Sequence, residues 1–370
     1  MHRSAALRLE LIRRPERSKA MSWLSPVIAV GLTLVAGAII FAASGIDPLR
    51  GLYVYFLEPL TLPFTLTELV VKAIPIVIIA VGLALCYLSN NWNIGAEGQL
   101  TLGAITGSLF PILLPDFQNV LTLPIMLLMG ILGGALYASI PALLKTRFGT
   151  NEILTSLMLV YVATYLLDWL VRGPLRDPKG FGFPGSRAFS DWQVMPTLIP
   201  GSRVHLGLIL ALVVVAGGWF LLRRTIFGFS ITTLGQAPRA GAFAGFSRKT
   251  MTLLVFLISG GLAGLAGIAE VAGPVGKLDV VISPRYGFTA IIVAFLGRLN
   301  PAAIVVAGLV LALSYIGSER AQIVLGMSSQ TGRVFQGLLL FFVLACDTFI
   351  LYRLRVVRAP QAVPVARPAE

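Results

Sequence analysis

The feature that most constrains this chain is the recurrence of apolar stretches about as long as a bilayer is thick. A helix rises about 1.5 Å per residue, so roughly 20 apolar residues cross a hydrocarbon core of about 30 Å. Laid along the sequence, this ruler predicts spans at 22–44, 67–88, 98–114, 120–144, 152–171, 204–222, 250–271, 287–297, 299–317 and 333–352. The fold class this predicts is an all-α polytopic membrane protein of about ten transmembrane helices. An even number of crossings puts both termini on one side. The stretch between Gly287 and Arg298 is too short to cross alone and reads as a short, broken helix buried against its neighbours. Only 12% of the 370 residues are charged and 56% are hydrophobic, which excludes a soluble enzyme and a disordered chain.

The net charge of +13 bears on membrane orientation rather than on nucleic acid. Lys and Arg are retained on the cytoplasmic side during insertion. With the N-terminus inside, six precede Ser22, Lys145 and Arg147 follow the fourth span, five lie between Arg223 and Lys249, Arg298 stands alone, and four follow Tyr352. The opposite side holds fewer, so both termini are placed in the cytoplasm. The domain reading is a basic leader over 1–21, a transmembrane domain over 22–352 and a loose tail over 353–370. The first apolar run is too long for a secretory signal and is read as a retained anchor. Within the leader, Leu7, Leu9, Leu11 and Ile12 alternate with Arg8, Glu10, Arg13 and Arg14, which suits either a short helix on the inner membrane surface or a solvated arm. No strong internal sequence repeat is visible.

Several chemistries are missing. A phosphate-cradling loop needs G-x-x-x-x-G-K-[ST], and Gly326–Arg333 has neither the spacing nor the lysine. His2 and His205 are far apart, Cys86 and Cys346 sit singly in apolar runs, and no metal or nucleophile pattern occurs. The chain is therefore expected to need no cofactor or metal of its own and not to hydrolyse ATP. An ion-coupled carrier keeps ionisable groups within its spans. Glu68, Lys72, Asp168, Glu270 and Asp347 all fall near predicted span ends, where interfacial snorkelling explains them.

Three polar stretches interrupt the apolar pattern. In Ser89–Gln99, SNNWNIGAEGQ, unsatisfied amides and a carboxylate cannot face lipid. Asn93, Glu97 and Gln99 are suited to bond the freed backbone of a helix break, and an inner turn with capping residues is an equal alternative. In Arg147–Ser156, RFGTNEILTS, Thr150 or Asn151 can cap the fifth span and Glu152 suits its first turn. The loop Arg223–Lys249 carries five basic and no acidic residues. A short helix starting at Pro238 would present Arg239, Phe243 and Phe246 to a partner or to anionic headgroups.

Together these stretches resemble the permease subunits of ATP-binding-cassette importers of the simple-sugar and nucleoside branch, related to branched-chain amino-acid permeases. The resemblance covers about 65–350. It rests on N-I-G-A-E-G-Q at Asn93–Gln99, G-T-N-E-I at Gly149–Ile153 and G-F-T-A-I-I-V-A-F-L-G-R-L-N-P at Gly287–Pro301. It implies a second permease subunit in a mixed pair, a cytoplasmic ATPase that hydrolyses ATP for the assembly, a periplasmic or lipid-anchored binding protein, and residence in the bacterial cytoplasmic (inner) membrane. The family's ATPase-docking pattern is matched by Gly235, Pro238, Ala240, Gly245 and Phe246, with Gln236 and Arg239 replacing acidic residues and Gly241 replacing alanine. Val160 stands where relatives often have asparagine. The implied function is alternating-access translocation of nucleosides, purines first, with simple sugars such as ribose as the alternative and an ATP-independent carrier or pore as the outside reading. Asn93, Glu97 and Gln99 are expected at a gate or path, supported by Asn151 and Glu152.

Overall fold

The structure, a computed structural model, describes residues 7–13, 19–328 and 330–358. In chain order it comprises strand β1 (Leu7–Arg13), helices α1 (Lys19–Ala43), α2 (Pro48–Leu52) and α3 (Glu58–Thr61), then α4 (Pro63–Leu88), α5 (Ala96–Leu113), α6 (Thr122–Phe148) and α7 (Glu152–Arg172). There follow α8 (Gly207–Arg224), α9 (Ile226–Gln236), α10 (Pro238–Phe243), α11 (Arg248–Glu270), α12 (Tyr286–Leu296), α13 (Pro301–Leu325), α14 (Thr331–Leu351) and strand β2 (Tyr352–Arg358). Single π-helical turns, Tyr53–Leu57 and Val271–Val275, join α2 to α3 and extend α11.

Among the described residues, seven helices are long and apolar enough to cross a membrane: α1, α4, α6, α7, α8, α11 with its π turn, and α13. Three predicted spans correspond to shorter or less apolar helices. These are α5, whose first turns carry Glu97 and Gln99, the 11-residue α12, and α14. Outside the helical bundle, the leader differs from both of its expected forms. The leader is not helical over Leu7–Arg13 but pairs antiparallel with Tyr352–Arg358, in register from Leu7 opposite Arg358 to Arg13 opposite Tyr352. Apolar and charged residues alternate over Leu7–Leu11 and over Tyr352–Val356, the period of a strand and not of a helix. The tail is likewise ordered through Arg358. Residues 1–6, 14–18 and 359–370 of the leader and tail lie outside the described residues.

The bundle is organised around two buried helices. The most apolar stretch of α4 is 89% buried and that of α11 72%, against 17–22% for α1, α6, α7 and α8. The two pack antiparallel, with Gly82 against Ser259 and Cys86 Sγ within 3.3 Å of the Val255 carbonyl oxygen. Around them one pattern occurs twice: α5 and α6 pack on α11 as α12 and α13 pack on α4, and α7 and α14 close the two sets. Helices α4–α7 and α11–α14 thus form an inverted repeat, the architecture of many transporters, although their sequences show none.

With lipid outside, helices cohere through close backbone packing rather than hydrophobic burial. Gly103 on α5, Gly130 and Gly134 on α6, and Gly260 and Gly264 on α11 form that seam. A Cβ at Gly264 would lie 2.1 Å from the Gly130 carbonyl oxygen, and one at Gly134 2.2 Å from that of Gly260. Overpacking a seam this tight costs about 1–3 kcal/mol or more. Gly264→Val is therefore expected to lower the melting temperature in detergent by about 5 °C or more. Gly337→Ala, where the added atom meets nothing within 4 Å, should leave it unchanged.

Candidate functional site

Between α4 and α5 the backbone is non-helical from Asn91 to Gly95, yet every residue of that stretch except Trp92 and Ile94 is buried. Non-helical backbone at membrane depth survives only where protein groups satisfy it. Here side chains do so. Trp92 N donates to Glu152 Oε1 (3.3 Å), Ile94 N to Ser156 Oγ (3.2 Å) and Gly95 N to Asn93 Oδ1 (3.0 Å), while the Asn93 carbonyl accepts from the Tyr87 hydroxyl (3.0 Å). The segment climbs into the bundle. Asn91 Oδ1 accepts from Thr252, one turn into α11, and Asn93 Nδ2 donates to Ser259, three turns in.

Asn93 and Gln99, fully buried, form a reciprocal amide pair, Nδ2 to Oε1 and Nε2 to Oδ1, both at 2.9 Å. Asn93 thereby fills its two donor and two acceptor positions. Glu97 points elsewhere. Its Oε2 accepts from the backbone N–H of Gly287 at 2.6 Å, in the first turn of α12. That helix begins on Arg285, held in the left-handed region at φ 73°, without a side-chain cap of its own. Ser283 Oγ takes the Tyr286 N–H at 2.8 Å, and Glu97 supplies the next acceptor from another helix. A carboxylate on the positive end of a helix dipole in a low-dielectric interior is a strong pairing. Gly287 is obligatory, since a Cβ there would sit 2.3 Å from Glu97 N. The expected half-helix is thus present, buried and anchored by Glu97.

Asn151 caps α7, its Oδ1 accepting from Ile153 N at 2.9 Å, on the exposed surface and away from the Asn93–Gln99 pair. Glu152 does more than favour the dipole. It pairs with Lys145 at 2.5 Å, and Lys145 also bonds Asn91 Oδ1 at 2.8 Å, so α6, α7 and the interrupted segment are tied together. Lys145, Asn91, Ser156 and Ser259 were not singled out in the sequence. Lys145 counted there only as a topogenic charge, and the serines carry no local signal. Val160 is buried against Gly98, facing the bundle. Below the segment, Tyr87, Trp92 and Phe295 stack with centroids 5.0–5.9 Å apart.

The basic loop folds as α9 and α10 across the Leu88 end of α4. Gly235 lies so close that a Cβ would meet the Leu88 carbonyl oxygen at 1.9 Å. Pro238 opens α10, Gly245 takes φ 83°, and Gln236 and Arg239 are exposed. Phe246 does not face outward as expected. It is half-buried against Phe229, while Phe243 is 99% exposed.

At the opposite end the charges expected at the interface have partners on other elements. Glu68 is buried and paired with the half-exposed Arg203, and Lys72 bonds the half-exposed Glu319 at 2.9 Å. Glu270 is also buried, Asp168 pairs with Arg172 at 2.7 Å on the surface, and the side chain of Asp347 lies outside the described residues.

Matching the chain against family models gives, over residues 65–344, the family described as branched-chain amino acid transport system / permease component. The chain belongs to this permease family. Within it, it falls in the simple-sugar and nucleoside branch of ABC permeases. It is 36% identical over 363 residues, 95% of both chains, to the glucose ABC transporter permease protein TsgB13 of Haloferax volcanii. It is 28% identical to the guanosine ABC transporter permease protein NupP of Bacillus subtilis, over 86% of this chain and 92% of the relative. To the nucleoside ABC transporter permease protein NupB of Lactococcus lactis it is 26% identical, over 81% and 85%. No solved structure matches it significantly. The permease is a multi-pass membrane protein and a transport component rather than an enzyme.

Just before α8, burial holds the His205 imidazole down at about 4, from an ordinary 6.5. Its Nδ1 accepts from Gly207 N at 3.1 Å, a role that protonation would abolish. The folded permease refuses a proton that the unfolded chain takes up below about 6.5, so this stability is complete above 6.5 and is lost as pH falls toward 4. The loss amounts to about 3 kcal/mol. The melting temperature in detergent is expected to fall between pH 7 and pH 4.5, and His205→Asn to flatten that fall.

Proposed function

We propose that the permease is the membrane subunit of an ATP-driven importer in the cytoplasmic membrane, moving a neutral, ring-shaped, hydroxylated solute by alternating access. The observation that carries this reading is membership of the ABC permease family over residues 65–344. ATP is hydrolysed on a separate cytoplasmic ATPase, a solute-binding protein delivers from outside, and a second permease subunit, in a mixed pair, completes the path. The permease itself needs no cofactor. The basic ends of α6, α8 and α11 face the cytoplasm, and α9–α10 meets the ATPase through exposed Phe243 and Arg239, with Gly235, Gln236, Pro238, Gly245 and Phe246 shaping that surface. Motion passes from there through Gly235 to the Leu88 end of α4 and into the segment holding Asn93, Glu97 and Gln99. Those three form the gate, with Glu152 bracing it from α7 and Asn151 capping that helix.

For the solute, a hexose leads and a nucleoside follows. The end-to-end 36% identity to a glucose permease favours the hexose over the nucleosides that the motifs place first. The nucleoside reading retains support from two relatives at 26% and 28%.

Uptake of radiolabelled glucose, ribose, guanosine, adenosine and uridine by cells with and without the gene, each with and without ATP depletion, separates these. Gene-dependent, ATP-dependent glucose uptake is expected. A guanosine signal alone selects the nucleoside reading, and uptake that survives ATP depletion overturns the importer. Phe243→Asp is expected to abolish co-purification with the ATPase while leaving expression intact, and an unchanged pull-down removes α10 from the interface.

A further inference from the structure

The exposed side chains of the outer helices are mostly apolar: Val35 and Ile39 on α1, Leu132 and Leu136 on α6, Leu212, Val213, Trp219 and Phe220 on α8, and Met158 and Val162 on α7. Two positions of α7 add phenol hydroxyls to that surface. Tyr161 is 55% exposed and Tyr165 71% exposed, one turn apart, and Asp168 continues the same face with its side chain 40% exposed. Tyr161 lies nine residues after Glu152, about 14 Å along a helix of about 30 Å, close to mid-membrane. Neither tyrosine hydroxyl has a hydrogen-bond partner within the described residues, whereas the buried hydroxyl of Tyr87 has one.

A hydroxyl at that depth facing hydrocarbon has nothing to bond. Snorkelling does not relieve it. Side chains on a helix lean toward its N-terminus, and the N-terminus of α7 is at the basic end beside Lys145, so the Tyr165 hydroxyl leans toward the membrane centre rather than the nearer surface. The face is also not remote from the site. The opposite face of α7 holds the interrupted segment through Ser156 and Glu152 and packs Val160 on Gly98.

We propose that Tyr161, Tyr165 and Asp168 form a solute subsite on the wall of a water-filled path, which α7 shares with the second permease subunit. The two rings stack on the apolar face of a sugar ring or nucleobase, and the hydroxyls and the Asp168 carboxylate take its hydroxyl or N–H groups. This rests on the transporter reading above. It explains why an outer helix face carries two exposed tyrosine hydroxyls without partners among the described residues, one of them close to mid-membrane.

The test places cysteines in the intact complex, in membrane vesicles, with the buried Cys86 and Cys346 left in place. Tyr161→Cys and Tyr165→Cys are treated with a membrane-impermeant methanethiosulfonate, with Leu132→Cys and Val213→Cys as lipid-face controls. Labelling of both tyrosine positions at least tenfold faster than the controls, slowed by millimolar glucose or guanosine, is the expected result. The protecting solute also tells the sugar from the nucleoside. Labelling no faster than the controls places the face in lipid and overturns the proposal, and fast labelling that neither solute slows removes the subsite. Because labelling is read without ATP, it stands apart from failure of the importer reading. In uptake, Tyr165→Ala should raise KM at least fivefold with little change in maximal rate, and Tyr165→Phe should restore most of it. A KM unchanged in both variants contradicts solute contact.

Discussion

The structure turns on one contact, the carboxylate of Glu97 on the first turn of α12. Helix α12 is about 16 Å long and cannot span a bilayer. Its first residues, Tyr286 and Gly287, are buried in the protein, where unmet N–H groups and the positive end of a dipole are costly. A free carboxylate there would be equally costly. Brought together at 2.6 Å, each satisfies the other. The contact also joins the two halves of the inverted repeat, since Glu97 heads α5 in one and Gly287 heads α12 in the other.

The surroundings follow from holding that contact in place. Helix α5 can begin inside the bundle only because Asn91–Gly95 reaches it as non-helical backbone bonded by Glu152, Ser156 and Asn93 itself. The level of α5 is set by Gly103, Gly130, Gly134, Gly260 and Gly264, which bring three backbones almost into contact. At the basic end, Gly235 lays α9 on Leu88, immediately before the interrupted segment. A push on α9–α10 therefore reaches Asn91 and Asn93 through one helix end, which is the short route the proposed coupling uses.

Much of this was legible in the residues. Runs of apolar length predicted the seven long apolar helices among ten expected spans, and the shortness of the stretch between Gly287 and Arg298 marked the half-helix, because both depend on local composition. The polar cluster Asn93–Gln99 had to be bonded by protein or water, and the residues alone left a helix break and a capped inner turn as equal alternatives. What was not legible depends on contacts between distant segments. That Glu97 meets Gly287, that Lys145 bridges Asn91 and Glu152, and that Lys72 finds Glu319 are facts of tertiary packing with no local signature. The inverted repeat is invisible for the same reason, as it is carried by helix arrangement and not by matching residues. The leader was misjudged on different grounds. A run of Leu7, Leu9 and Leu11 broken by charged residues has a strand's period, but it stabilises a strand only when a partner exists, and that partner lies more than 300 residues away at Tyr352–Arg358.

If Glu97 holds the head of α12, hydrogen–deuterium exchange of the intact permease in lipid nanodiscs separates wild type from Glu97→Ala over residues 283–296. Slow exchange in the wild type should give way in the variant to fast exchange confined to the first turn of α12, with α4 and α11 still protected. Equal protection of that turn in both proteins would contradict the claim.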